Sequence, residues 1–133
     1  MKSLFDLIII SPTKKLIIKD IEFFRGEDES GTFGILAHHI EFLTILTRSI
    51  GIIKKDGKEQ YIALNKGILR FNDNKLFITT REFIISDKLE MLKDIIDKKF
   101  KKIEEQEKVF RHNIQKLEKE FIKKVIKMEK ELE

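Results

Sequence analysis

The sequence predicts an all-β sandwich over residues 1–86, followed by a helical segment over 87–133 built either as a hairpin or as one long helix. Three observations predict it. All six glycines and the only proline, Pro12, precede residue 86. Short β-branched and aromatic runs recur through that first part, separated by turn residues. In the second part apolar residues recur every seven positions instead.

Taken in order, Leu7-Ile8-Ile9-Ile10 and Leu16-Ile17-Ile18 are strand candidates separated by Ser11-Pro12-Thr13. Ile21-Glu22-Phe23-Phe24 and Gly34-Ile35-Leu36 follow, on either side of an acidic, glycine-bounded loop, Gly26-Glu27-Asp28-Glu29-Ser30-Gly31. Ile50-Gly51-Ile52-Ile53 and Tyr61-Ile62-Ala63-Leu64 flank an Asp56-Gly57 pair, which predicts a hairpin because both residues accept positive φ. Ile68-Leu69-Arg70-Phe71 and Leu76-Phe77-Ile78-Thr79 form a second hairpin around Asn72-Asp73-Asn74-Lys75. Several short strands at regular spacing read as a sandwich or barrel.

A helix start is expected near Ser86-Asp87, whose side chains can accept hydrogen bonds from free helical N–H groups. Beyond it Leu89, Ile96, Ile103, Phe110 and Leu117 recur at seven-residue intervals, with Phe100, Ile114, Phe121 and Met128 as companions. This is a heptad seam, interrupted by Glu107 and weakened by Lys93 and Lys124. The run Glu104-Glu105-Gln106-Glu107-Lys108 has no apolar residue, so helices over 87–103 and 109–132 folded into a hairpin are slightly preferred. A single long helix fits nearly as well, because Glu, Gln and Lys favour helix.

Of the 133 residues 41% are apolar and 38% are charged, against about 25% charged in ordinary domains. The excess belongs on solvated faces or long helices. Net charge is only +4, with both signs alternating, which argues against a nucleic-acid binder with its clustered base. There is no cysteine, hence no disulfide framework and no thiolate metal site. Asp6 within a short apolar start argues against a signal peptide, and no stretch reaches the ~20 apolar residues of a span. Membrane association is expected only through a partner.

The search for chemistry is empty. His38 and His39 are adjacent, so on a strand they point to opposite faces and do not share a metal easily. His112 stands between charged neighbours on the helix. Glu27-Asp28-Glu29 lacks the spaced ligands of a calcium loop, and Gly31-Thr32-Phe33-Gly34 has too few glycines to cradle a pyrophosphate. No nucleophile, base and orienting acid share a local context. Neither metal nor cofactor is expected. The lysine-rich helix reads first as a solvated face and second as a docking face for an acidic partner.

The stretch Gly31-Thr32-Phe33-Gly34-Ile35-Leu36-Ala37-His38-His39-Ile40-Glu41-Phe42-Leu43-Thr44 is similar to the signature of F-type ATP synthase epsilon subunits. It matches through Gly31, Gly34, His39, Leu43 and Thr44. Tyr61-Ile62-Ala63-Leu64-Asn65-Lys66-Gly67-Ile68-Leu69 resembles the family's strand, tight turn and strand, and the order of β domain then charged helical tail also agrees. The sequence departs from the family at Ala37 and Glu41, where proline is frequent, and at Thr32, where glutamate is common. The Asp87-Lys88-Leu89-Glu90-Met91-Leu92-Lys93 segment lacks the Arg-Ala pair that helps some members bind ATP, so nucleotide binding is not carried over. Phe110-Arg111-His112-Asn113-Ile114-Gln115-Lys116-Leu117 and Phe121-Ile122-Lys123-Lys124 resemble the alternate F-type ATPase subgroup.

The resemblance implies a ten-stranded sandwich with a helical tail and a non-catalytic role in the central stalk, on the cytoplasmic face of the bacterial inner membrane. It implies contacts with the gamma subunit and the ring of c subunits. A loop carrying Gly31, Thr32, Gly34, His38 and His39, with Asp28 and Glu29 close by, is expected to face the ring. Arg111, Lys123, Lys124 and Lys127 are expected to meet acidic segments of the alpha/beta catalytic head when the tail extends. A free-standing β-domain adaptor with a self-associating coiled-coil tail is the alternative.

Overall fold

Alternation decides the first strand: Phe5, Leu7 and Ile9 are buried, while Asp6, Ile8 and Ile10 turn to the opposite face. The computed structural model describes residues 3–132, and among them ten strands precede one helical run. The strands are β1 (Phe5–Ile10), β2 (Lys15–Ile21), β3 (Phe23–Asp28), β4 (Gly31–Leu36) and β5 (Phe42–Leu46). They continue as β6 (Ser49–Lys55), β7 (Lys58–Leu64), β8 (Gly67–Asn72), β9 (Lys75–Thr80) and β10 (Phe83–Ser86). One layer runs β10-β7-β6-β3-β4 and the other β5-β8-β9-β1-β2. The layers join where Asp28 of β3 pairs with Leu46 of β5. Every pairing is antiparallel except β1 with β9.

The core lies between the layers. Phe24, Ile35, Ile53 and Ile62 from the first join Leu7, Leu69, Phe71 and Ile78 from the second. Phe5 meets Phe71 edge to face, with ring centroids 5.5 Å apart. Each fully buried side chain of this size contributes about 1.5–3 kcal/mol of transfer free energy. Both expected hairpins form. Asp56 and Gly57 take φ of 53° and 73°, and Asp73 and Asn74 take 51° and 57°, the backbone hand that matches strand twist.

Three local expectations change. Gly26, Glu27 and Asp28 belong to β3, so the acidic loop shrinks to a Glu29-Ser30 turn. The apolar segment Phe42–Leu46 forms β5 and Phe83–Ser86 forms β10. Lys88 stands at the helix N-cap without a side-chain cap bond; the Ser86 hydroxyl accepts instead from the Lys88 N–H, at 3.0 Å.

Helical backbone runs through α1 (Leu89–Asp94), a π-helical turn (Ile95–Phe100) and α2 (Lys101–Leu132). The long-helix alternative therefore holds, and the preferred hairpin does not form. Residues 104–108 are all strong helix formers, and no Gly, Pro or Asn among them offers a turn.

The chain divides into two compact units, the first ending at Phe100 and the second starting at Lys101, later than the composition break near residue 86. In the first unit Leu92 and Phe100 are buried with Ala63, flanked by Ile50, Tyr61, Ile84, Ile95 and Ile96. Residues five apart on an α-helix diverge by about 140°. The wider π turn lets Ile95 and Phe100 reach the same sheet. Lys99 closes this region on Glu82 at 2.9 Å. The second unit is α2 alone, with Arg111 against Glu107 at 3.7 Å, one turn apart.

Candidate interaction surfaces

The strand directions sort the sandwich into two ends. At one end, the Glu29-Ser30 turn links β3 to β4. The Asp28 carboxylate holds that turn: Oδ1 accepts from the Ser30 N–H at 2.9 Å and from its hydroxyl at 2.5 Å. Oδ2 accepts from the Thr44 hydroxyl at 2.7 Å. The Ser30 hydroxyl, then Thr44 and the turn N–H groups, hold the Asp28 carboxyl below its ordinary value, outweighing a small desolvation effect. Asp28, Glu29, Ser30, Thr44 and Ile45 line a shallow polar groove there.

His38 and His39 lie at the opposite end. β4 separates them from the acidic turn by about 17 Å at the usual strand rise. His38 takes a φ of 62° and donates its N–H to Asn74 Oδ1 at 2.8 Å. Asn74 in turn donates to the Leu4 carbonyl, so it pins two loops. His39 donates from Nδ1 to the Ile40 carbonyl at 2.7 Å, and its ring stands edge-on to Phe42 and Phe71. The structure thus does not bring the sequence-predicted residues onto one loop. Asp28, Glu29 and Gly31 cluster, Thr32 and Gly34 lie along the exposed strand β4, and the histidines stand apart. Among the described residues no group of three or more His, Cys, Asp or Glu is placed to hold a metal ion.

A surface that the sequence reading did not single out is the outer face of β5-β8-β9-β1-β2. Register aligns Ile45, Ile68, Thr79 and Ile10 in one row across four strands. The next row is Leu43, Arg70, Phe77, Ile8 and Ile17. Leu43 is 68% exposed and Ile45 71%, with Ile68 and Ile17 at half exposure or more. A largely apolar area of this kind, broken by Arg70 and Thr79, marks an interaction surface. Its signal in the sequence is the lack of alternation: Leu7-Ile8-Ile9-Ile10 and Phe42-Leu43-Thr44-Ile45-Leu46 are apolar on both faces or nearly so.

On α2, Lys123 and Lys127 share a face one turn apart and Lys124 is adjacent, while Arg111 lies about 18–24 Å further back along the axis and pairs with Glu107. Among the described residues no helix is long and apolar enough to cross a membrane.

Comparison with known proteins gives the same outline. A family model described as the β-sandwich domain of the ATP synthase delta/epsilon chain matches residues 4–86. An ATP synthase epsilon chain 2 of Paraburkholderia xenovorans is 33% identical over 96 residues, 68% of each chain. An ATP synthase epsilon chain of Nitratidesulfovibrio vulgaris is 26% identical over 110 residues, 79% of this chain and 82% of that one. That of Geotalea uraniireducens is 28% identical over 83 residues, and the chain spans 60% of that relative's length. In solved structures, a chain of the Euglena gracilis mitochondrial ATP synthase (OSCP/F1/c-ring) superposes with a TM-score of 0.59 at 19% identity, over 62% of this chain and 54% of that one. A chain of the Tetrahymena thermophila mitochondrial ATP synthase central stalk and c-ring gives 0.54 at 12% identity, over 62% and 67%. These two likenesses concern the fold.

Proposed function

The chain belongs to the ATP synthase delta/epsilon family, and from that membership we propose that it is a non-catalytic rotor subunit of the central stalk. In this role it links the gamma subunit to the ring of c subunits, during rotary ATP synthesis or hydrolysis coupled to ion transport. The observation that carries the reading is the outer apolar face through Leu43, Ile45, Ile68 and Phe77. Water is a poor neighbour for such an area, and a stiff sandwich transmits torque only through a broad, fixed contact. Gamma is the partner assigned to this face.

The ring contact is assigned to the end formed by Asp28, Glu29, Gly31 and Thr32, which presents polar groups suited to polar loops at a membrane surface. His38, His39 and Gly34 fall outside that contact, because β4 carries them away from the turn. The subunit sits peripherally on the cytoplasmic face of the bacterial inner membrane, held by its complex. Lys123, Lys124 and Lys127, with Arg111, meet acidic segments of the alpha/beta head when the tail is extended.

The test is capture of the tagged full chain with purified gamma subunit from the same source, followed by sizing. A stoichiometric complex is expected. No complex at micromolar concentrations overturns the rotor reading.

A further inference from the structure

Leu89, Ile96 and Phe100 belong to the apolar series that the sequence carries on through Ile103. In an α-helix these three fall within about 40° of one another, and Ile95 lies about 120° from Leu89. The structure departs from that geometry. The turn Ile95–Phe100 is π-helical, and it sets both of its end residues against the cluster of Ala63 and Leu92. The segment thus holds two overlapping apolar patterns. One suits the sheet and includes Leu92, Ile95, Ile96 and Phe100. The other is an α-helical seam of Leu89, Ile96, Phe100 and Ile103. Ile95 serves only the first.

A π turn is rare and occurs singly within α-helices, so this one is kept by its packing. Leu92 and Phe100 are fully buried, and the Lys99 ammonium reaches Glu82 at 2.9 Å. Suppose the turn closes to α while Leu92 stays seated. Lys99 then swings to within about 20° of Leu92 and faces the apolar sheet, while Phe100 stands about 80° away. A desolvated ammonium there is strongly unfavourable, so the α register and the docked segment exclude each other.

We propose that Ile95–Phe100 is a two-register element, π while Phe100 is seated on the sheet and α when it is released. Release brings Leu89, Ile96, Phe100 and Ile103 into one seam. The backbone is helical in both registers, so the change needs no hinge and no unfolded stretch. It is a rotation, in which the extra residue of the turn is taken up by turning Phe100 about the helix axis. The element stands independently of the rotor reading.

Two variants of the full chain push it in opposite directions. Deleting Lys98 removes the extra residue, so that a plain α-helix seats Leu92, Ile95 and Phe100 together. Ile95→Glu places a charge against the sheet and leaves the α seam untouched. Tyr61 is the probe, because it is the only tyrosine in a chain without tryptophan and it packs against the cluster. The deletion should keep the Tyr61 emission and slow amide exchange over residues 92–100 by about tenfold or more. Ile95→Glu should give the emission of a solvated tyrosine with unchanged helical circular dichroism. α1 and the turn are six residues each, against 32 in α2, so loss of about a quarter of that dichroism means that the released segment unravels, which overturns the proposal. Unslowed exchange or unfolding after the deletion overturns it too, as does wild-type Tyr61 emission from Ile95→Glu.

Discussion

Thr44 of β5 donates its hydroxyl to the Asp28 carboxylate of β3 at 2.7 Å, beside the Asp28–Leu46 pairing that joins the two layers of the sandwich. Asp28 therefore secures both a hairpin turn and the seam between layers. Its carboxyl titrates below the ordinary value because Ser30, Thr44 and the turn N–H groups favour the ionised form.

A group whose folded pKa is depressed stabilises the fold above its unfolded value, and loses that contribution as pH falls through the folded value. Asp28→Asn should therefore melt below the wild type at pH 7. The gap should narrow once the pH drops below about 3.9, the ordinary aspartate value. Thermal melts from pH 7 to 2.5 check it; a gap that stays constant with pH counts against the carboxylate.

Phe100 is fully buried against Ala63 and Leu92, whereas Phe121 is 67% exposed on α2. Phe100→Ala should cost about 3–5 kcal/mol in urea unfolding, because a large core side chain leaves a cavity. Phe121→Ala, in dilute protein, should stay within about 0.5 kcal/mol. Equal effects at the two sites would mean that the first helical turns are not anchored on the sheet.

Gly51 lies in β6 between β3 and β7, and a Cβ there would stand 2.8 Å from the Arg25 carbonyl oxygen and 3.1 Å from Ile62 Cγ2. Backbone cannot yield as a side chain tip can, so Gly51→Ala should destabilise by about 1–3 kcal/mol. Gly57→Ala meets open space but must hold a φ of 73°, and should cost about 1–2 kcal/mol. Chemical denaturation of both variants separates packing from backbone strain.

Residues whose role is local were legible in the sequence. Asp56-Gly57 and Asp73-Asn74 announce their hairpins because few residues tolerate positive φ. The helical period of the second part was legible too, and residues 101–132 are helical throughout. Less legible was Phe42–Leu46, where inward residues and the outward Leu43 and Ile45 are alike apolar, so period two disappears. The acidic loop was misread because β3 continues through Gly26 to Asp28, and pairing with β4 overrides the loop-like composition. The separation of Asp28 from His38 depends on the direction and length of β4, which spacing along the chain does not reveal. Residues 104–108 lack an apolar residue, which suggested a break, although helix needs only backbone bonding and tolerant side chains.

The outer sheet face carries the last prediction. Ile45 and Ile68 pair directly across β5 and β8, and both side chains point away from the core, 71% and 54% exposed. Replacing either by Asp therefore places a charge in water while the subunit is free, and the melting temperature should hardly change. If gamma covers this face, as proposed, the same carboxylate is taken out of water without a partner. Capture by gamma should weaken by about a hundredfold or more for Ile45→Asp and Ile68→Asp, as 2.8 kcal/mol or more would require. Glu107→Lys on α2 should leave that capture unchanged, since it lies outside the sandwich. Undiminished binding by both sheet variants, with the fold intact, would move the gamma contact off this face and leave the apolar rows to another partner.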